Sequence, residues 1–126
     1  MIVHLDTSVM VEAFLPNGAA AERLRAVAAS GDRPTFSTVA LFEWLRGPRG
    51  PAELKLRRVM FPDDAILPFG IGEAERAAAI YKKVKSGRRR EADIAIAACA
   101  MEHGAALWTL NPKDFADIPG LTLYPG

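Results

Sequence analysis

The chain holds a single cysteine, Cys99, in 126 residues. That excludes an intrachain disulfide framework and a cysteine-based zinc cluster. The setting of Cys99, "IAACAM", reads as that of a small buried hydrophobe. There are only two histidines. His4 lies inside the first apolar run and His103 stands before Gly104, neither with a partner at a recognised spacing, so structural roles are expected for both. No apolar run approaches the ~20 residues that span a bilayer. Asp6 comes too early for a secretory signal. The expectation is a cytoplasmic protein with no membrane partner. Net charge is nearly absent as well, at +1, so overall charge names no partner. Repeats and low-complexity tracts are missing.

What is present is ordinary for a globular protein: half of the residues are hydrophobic and a quarter charged. The length suits one domain, residues 1–126, with a real core. Strands and helices alternate. "IVHL" and "PTFS" read as short strands, as do "AILPF", "ALWTL" and "LTLY". "DTSVMVEAFL" reads as a helix ending near Pro16, and "AAAERLRAVAAS" as one closed by Gly31. Ser37 suits the N-cap of "STVALFEWLRG", where its side chain accepts from backbone N–H groups, and Gly47 and Pro48 stop that helix. "PAELKLRRVMF" has proline at a first helical position. "GEAERAAAIYKKVKSG" carries Ala77, Ile80, Tyr81 and Val84 at helical spacing, with Gly87 as its stop. "EADIAIAACAMEHG" is apolar almost all round, the pattern of a helix buried between layers, with Gly104 as its stop. "PKDF" is a short turn or helix. This order predicts a three-layer α/β domain with a mainly parallel central sheet flanked by helices. In such sheets the ligand crevice lies outside the carboxyl ends of the strands.

Charge is unevenly spread. Lys82, Lys83, Lys85, Arg88, Arg89 and Arg90 crowd into "KKVKSGRRR", and Arg46, Arg49, Lys55, Arg57 and Arg58 form a looser group. Such runs suit either solvated helix ends, where cations near a C-terminus are favourable, or a phosphate-contacting patch.

Four acids stand among apolar or small neighbours. Asp6 follows the first strand, Glu43 interrupts "ALFEWL", Asp93 begins "DIAIAACAM", and Asp114 lies in "TLNPKDF" after a strand. Singly each has a bland alternative. Asp6 and Asp93 suit helix N-caps or first-turn acids. Glu43 has Arg46 at i,i+3, and Asp114 suits a turn. Together they suggest convergence at one end of the sheet. Clustered carboxylates repel and take up protons, and a hard divalent cation, Mg²⁺ or Mn²⁺, relieves that repulsion. A cation so held can activate water and polarise a phosphoryl oxygen, which points to phosphodiester hydrolysis.

"LDTSVMVEAF", "STVALFEWLRG" and "READIAIAACAMEHGAALWTLNPKDFADIPGLTLY", with the total length, resemble PIN-domain proteins, and among them the VapC-like toxin ribonucleases of bacterial toxin–antitoxin pairs. The resemblance covers most of the chain; residues 48–72 carry none of it. It implies that Asp6, Glu43 and Asp93 match three acidic positions binding Mg²⁺ or Mn²⁺, with Asn111 and Asp114 both candidates for the fourth. Asn111 in that place would leave the site one negative charge poorer. Thr7, Ser8 and Thr109 resemble small hydroxyl positions that orient the cluster or contact a phosphate. The implied reaction is attack of metal-activated water on an RNA phosphodiester, leaving a 5′-phosphate and a 3′-hydroxyl. The implied partners are the RNA substrate, a cognate antitoxin and a second copy of the chain in a homodimer. Two rivals stand beside this reading: a PIN-like module that binds RNA or protein without cutting, and another Mg²⁺-dependent phosphohydrolase. Against an aspartyl-nucleophile phosphatase, Asp6 is followed by Ser8 and not by a second acid two residues on.

Overall fold

Ile2–Leu5 form strand β1, and every residue of it except Ile2 is buried. A strand this continuously apolar belongs in the interior of a parallel sheet, and β1 occupies that place. The computed structural model describes residues 1–125. Among them the sheet has four strands in the order β3-β2-β1-β4, with β2 at Arg33–Ser37, β3 at Ile66–Leu67 and β4 at Ala106–Trp108. All three pairings are parallel: Leu5 stands opposite Phe36 on one side and Trp108 on the other. Pro34 is tolerated in β2 because β3 pairs only with Phe36 and Ser37, so Pro34 lies at a local sheet edge. The polar member of β1, His4, is fully buried with Nδ1 at 2.9 Å from Thr35 Oγ1. Burial, and then nearby His103, push its imidazole down to about 3, so the ring is neutral at physiological pH.

Six helices connect and flank these strands: α1 (Thr7–Ala13), α2 (Ala19–Ala29), α3 (Thr38–Leu45), α4 (Pro51–Met60), α5 (Ile71–Lys83) and α6 (Glu91–Glu102). The expected three-layer α/β fold with a parallel sheet is the observed one. Ser37 caps α3, its side chain accepting from Ala40 N–H at 3.1 Å. Gly104, at φ 62°, follows the C-cap of α6, a backbone state that glycine adopts without steric cost. The near-uniform apolarity of α6 has a direct cause. Ile94 and Ile96–Ala100 are buried because the helix touches α5 and α3 as well as β2 and β4, and its small residues permit that close approach.

Four expectations change, the first being "ALWTL", of which only Ala106–Trp108 is strand. "AILPF" shrinks to the two-residue β3, since Ala65 belongs to a 3₁₀ turn at Asp63–Ala65 and Pro68 has no N–H to continue the ladder. "LTLY" is no full strand: Leu123 makes a single parallel bridge to Leu107, flanked by Leu107 N–H to Thr122 O and Tyr124 N–H to Leu107 O. Gly87 does not stop α5, which ends at Lys83; Ser86 takes the left-handed conformation instead. Glycine is needed at 87 for space, because a Cβ there would meet the Tyr81 ring at 2.8 Å.

An aromatic chain ties the layers together. Phe14 after α1 lies 5.1 Å from Trp44 of α3 and 6.4 Å from Phe61 after α4, and Phe61 is 4.8 Å from Phe36 of β2, measured between ring centres. Phe61 is one of the two inner links and fully buried. Phe61→Ala is therefore expected to cost about 3–5 kcal/mol through lost burial and a residual cavity. Urea unfolding checks this: the midpoint should fall with the slope unchanged.

Candidate metal centre

The strand order reverses between β1 and β4, and in open parallel sheets that switch point opens a crevice at the carboxyl ends of the strands. Asp6 follows β1 there, its N–H bonded to Trp108 O at 2.9 Å, and Thr109 follows β4 beside it. Asp6 occupies the N-cap position of α1 and its carbonyl accepts from Val9 and Met10, but its side chain makes no capping bond. The carboxylate turns to the crevice. Its Oδ2 accepts from Ser8 Oγ and from Thr109 Oγ1, both at 2.8 Å. The residue is 4% exposed, yet among the described residues no cation forms an ion pair with it and no donor reaches Oδ1. A buried carboxylate so placed needs a compensating charge.

The other acids are brought to the same end. Glu43, on α3, accepts from Thr7 Oγ1 at 2.7 Å while its second oxygen stands 3.7 Å from Arg46. The bland i,i+3 pair thus exists, alongside a tie to the first turn of α1. Asp93 sits in the first turn of α6, where the helix dipole favours an anion. Its carboxyl is nevertheless raised to about 6, by burial first, then by the charges of Asp6, Asp114 and Glu43, with Arg90 pulling the other way. Burial and the neighbouring carboxylates outweigh the pull of Arg90. Asp114 is exposed, in the 3₁₀ turn Pro112–Asp114, and its field reaches Asp93. Asn111 serves the site through its backbone: its N–H donates to Thr109 Oγ1 at 3.0 Å and its carbonyl accepts from Asp114 N–H at 3.0 Å.

The hydroxyls knit the site. Ser8 Oγ donates to Asp6 and accepts from Leu110 N–H at 3.2 Å, and Thr109 joins Asp6 to Asn111. Sequence reading missed the pair that seats Asp114. Arg90 grips Asp117 with two parallel bonds of 2.7 and 2.9 Å and donates to Asp114 O at 2.7 Å. A bidentate pair of this kind is geometrically rigid. No spacing signal could have revealed it, since the partners lie 27 residues apart. Arg90 is thereby committed to structure, as is Arg49, which lies over the Trp44 ring and donates to its carbonyl. Arg57 is buried. Lys82, Lys83, Lys85, Arg88 and Arg89 remain exposed. The side chains at this end offer hard carboxylate oxygens, one Asp6 oxygen being free of protein donors, a chemistry that suits a small hard cation; among the described residues, no three of these acids bring donor atoms within 4.8 Å of one another.

No helix among the described residues is long and apolar enough to cross a membrane. No curated protein matches the sequence. Solved structures do match. VapBC2 from Rickettsia felis, bound to a DNA fragment from its promoter, shares 20% identity over 98% of both chains, with a TM-score of 0.76. DNA-bound VapBC from Salmonella typhimurium also shares 20%, over 98% of this chain and 97% of that one, with a TM-score of 0.76. A toxin–antitoxin complex from Klebsiella pneumoniae shares 26%, over 95% of each chain, with a TM-score of 0.72. The family model for the PIN domain matches residues 3–121. With that span, this chain belongs to the PIN-domain family.

Proposed function

We propose that the protein is a divalent-cation-dependent endoribonuclease and the toxin of a VapBC-type toxin–antitoxin pair. One observation carries the reading: Asp6 is buried at the sheet's switch point with no cationic partner among the described residues, while Glu43, Asp93 and Asp114 share its field. Membership of the PIN family and likeness to solved toxin–antitoxin complexes support the class of activity and of partner.

Asp6 and Asp93 are the main ligands in this reading, and the cation is Mg²⁺, with Mn²⁺ able to substitute. Glu43 would ligate directly or through water and would help orient the attacking water. Asp114 fills the fourth acidic position better than Asn111, whose role is in the backbone. When bound, the cation supplies Lewis-acid chemistry, lowering the pKa of water and offsetting charge on the phosphoryl oxygens. Ser8 and Thr109 hold Asp6 Oδ2 and so leave Oδ1 as the oxygen that would be offered to a cation, while Thr7 fixes one Glu43 oxygen. The exposed Lys82, Lys83, Lys85, Arg88 and Arg89 offer phosphate contacts to RNA. The antitoxin covers the acidic crevice, and the toxin pairs with a second copy of itself.

Total cellular RNA incubated with the protein and Mg²⁺ or Mn²⁺ should yield discrete fragments with 5′-phosphate ends. Asp6→Asn, Asp93→Asn and Glu43→Gln should each lower the rate at least about a hundredfold while remaining folded. Cleavage that persists in all three would overturn the assignment. Thr109→Val, which removes only an orienting hydroxyl, should weaken metal affinity or activity about 10–100-fold.

The raised Asp93 carboxyl has a stability consequence. Its folded value lies above its unfolded one, so the fold binds this proton more tightly and loses that contribution as pH climbs through about 6. In chelator, Asp93→Asn should melt at a higher temperature than the native protein near pH 7, the gap shrinking toward about pH 4. Mg²⁺ should reverse the order by stabilising only the native chain. Thermal melts across pH, with and without Mg²⁺, check all three outcomes.

A further inference from the structure

The opposite end of α6 carries a different donor set. Cys99 and His103 stand at i,i+4, so one helical face presents both, and Glu73 from the first turn of α5 meets them. One donor atom from each lies within 4.8 Å of the other two. Glu73 is held in place by its Oε1, which accepts from Gly70 N–H at 3.1 Å. Its Oε2 is 3.2 Å from His103 Nε2. That approach lacks hydrogen-bond geometry: Nε2 is buried with no hydrogen-bond partner among the described residues. Two ligands on one tetrahedral ion with bonds of ~2.1 Å stand about 3.4 Å apart without a proton between them. Cys99 is similarly uncommitted, its Sγ making only a 3.9 Å contact with Leu67 O.

A second unpartnered group adjoins. His4 is fully buried, its Nδ1 engaged with Thr35. Its Nε2 has no partner among the described residues, and His103 is the neighbouring titratable group close enough to act on the ring. Two buried imidazole nitrogens without partners, that of His103 beside the Glu73 carboxylate and the Cys99 thiol, make an expensive arrangement unless something else satisfies them.

We propose that Glu73, Cys99 and His103 bind a divalent transition-metal cation of the zinc class, with the fourth position left open by the protein's three donors. A thiolate and a carboxylate together neutralise the charge of such an ion. Sulfur and imidazole ligands select zinc-like cations over magnesium, the reverse of the acidic crevice. The two sites are separate: Cys99 and His103 lie about 9 and 15 Å along α6 from Asp93, at 1.5 Å per residue. The partly exposed His103 side chain gives a route of entry. Bound there, the ion pins the start of α5 to the end of α6.

The test uses the full chain, stripped with chelator and then titrated with Co²⁺ in excess Mg²⁺. The native protein should develop a thiolate-to-cobalt charge-transfer band that saturates near about one equivalent and is displaced by Zn²⁺. Asp6→Asn and Asp93→Asn should retain the band. Cys99→Ala, a one-atom truncation in an alanine-rich helix, should abolish it, and Zn²⁺ should raise the melting temperature of the native protein but not of this variant. His103→Gln should weaken Co²⁺ binding at least tenfold. Absence of the band from the native protein overturns the proposal, as does its persistence in Cys99→Ala. A zinc-induced rise in melting temperature without any sulfur band means an ion held by carboxylates elsewhere and also overturns it. Should Cys99→Ala fail to fold, unchanged Co²⁺ affinity in His103→Gln overturns it equally.

Discussion

Strand β1 is hydrogen-bonded on both flanks, and the acidic end depends on that pairing. A slip of one residue would exchange Val3 and Leu5 for His4 across the faces of the sheet, so the register of β1 against β2 and β4 is strongly specified. Asp6 is the first residue past that ladder. It is carried to the crevice between β1 and β4 with little freedom, and Ser8 and Thr109 then fix its Oδ2. Thr109 is 103 residues away in the chain. Parallel pairing alone brings them together.

The acidic end is electrostatically costly. Asp93 has Arg90 nearby to lower it, and its carboxyl is still raised well above the ordinary range by burial and by the neighbouring acids. Structures keep such a cluster only where the surroundings over-determine it. Here they do: the Thr7–Glu43 bond, the Ser8 and Thr109 bonds to Asp6, and the Arg90–Asp117 fork beside Asp114 each restrict an acid whose charge raises Asp93, or the turn that carries it. Hydroxyls orient acids without neutralising them, which leaves the negative potential of the crevice intact.

Helix α6 links two chemically distinct ends. Its first turn contributes Asp93 to a set of hard oxygens, and its last turn and C-cap contribute Cys99 and His103 to a mixed sulfur, nitrogen and oxygen set. Between them the helix is almost entirely alanine and isoleucine, packed on α5, α3, β2 and β4. Such a rod transmits position well because it has no room to shift.

Much of this was legible in the sequence because the relevant physics is local. Apolar runs and helical spacing located the long helices and β1, Ser37 announced the start of α3, and Gly104 the end of α6. The four acids stood out because charge among apolar neighbours is expensive wherever it lies. The sheet order, the seating of Asp114 by Arg90 and Asp117, and the meeting of Glu73 with Cys99 and His103 were not legible. Nor was the reduction of "LTLY" to one bridge, which depends on how much of β4 is left to pair with. Local preference is written within a few residues. Contacts between distant segments are decided only when the packed chain has no other way to satisfy its buried polar groups.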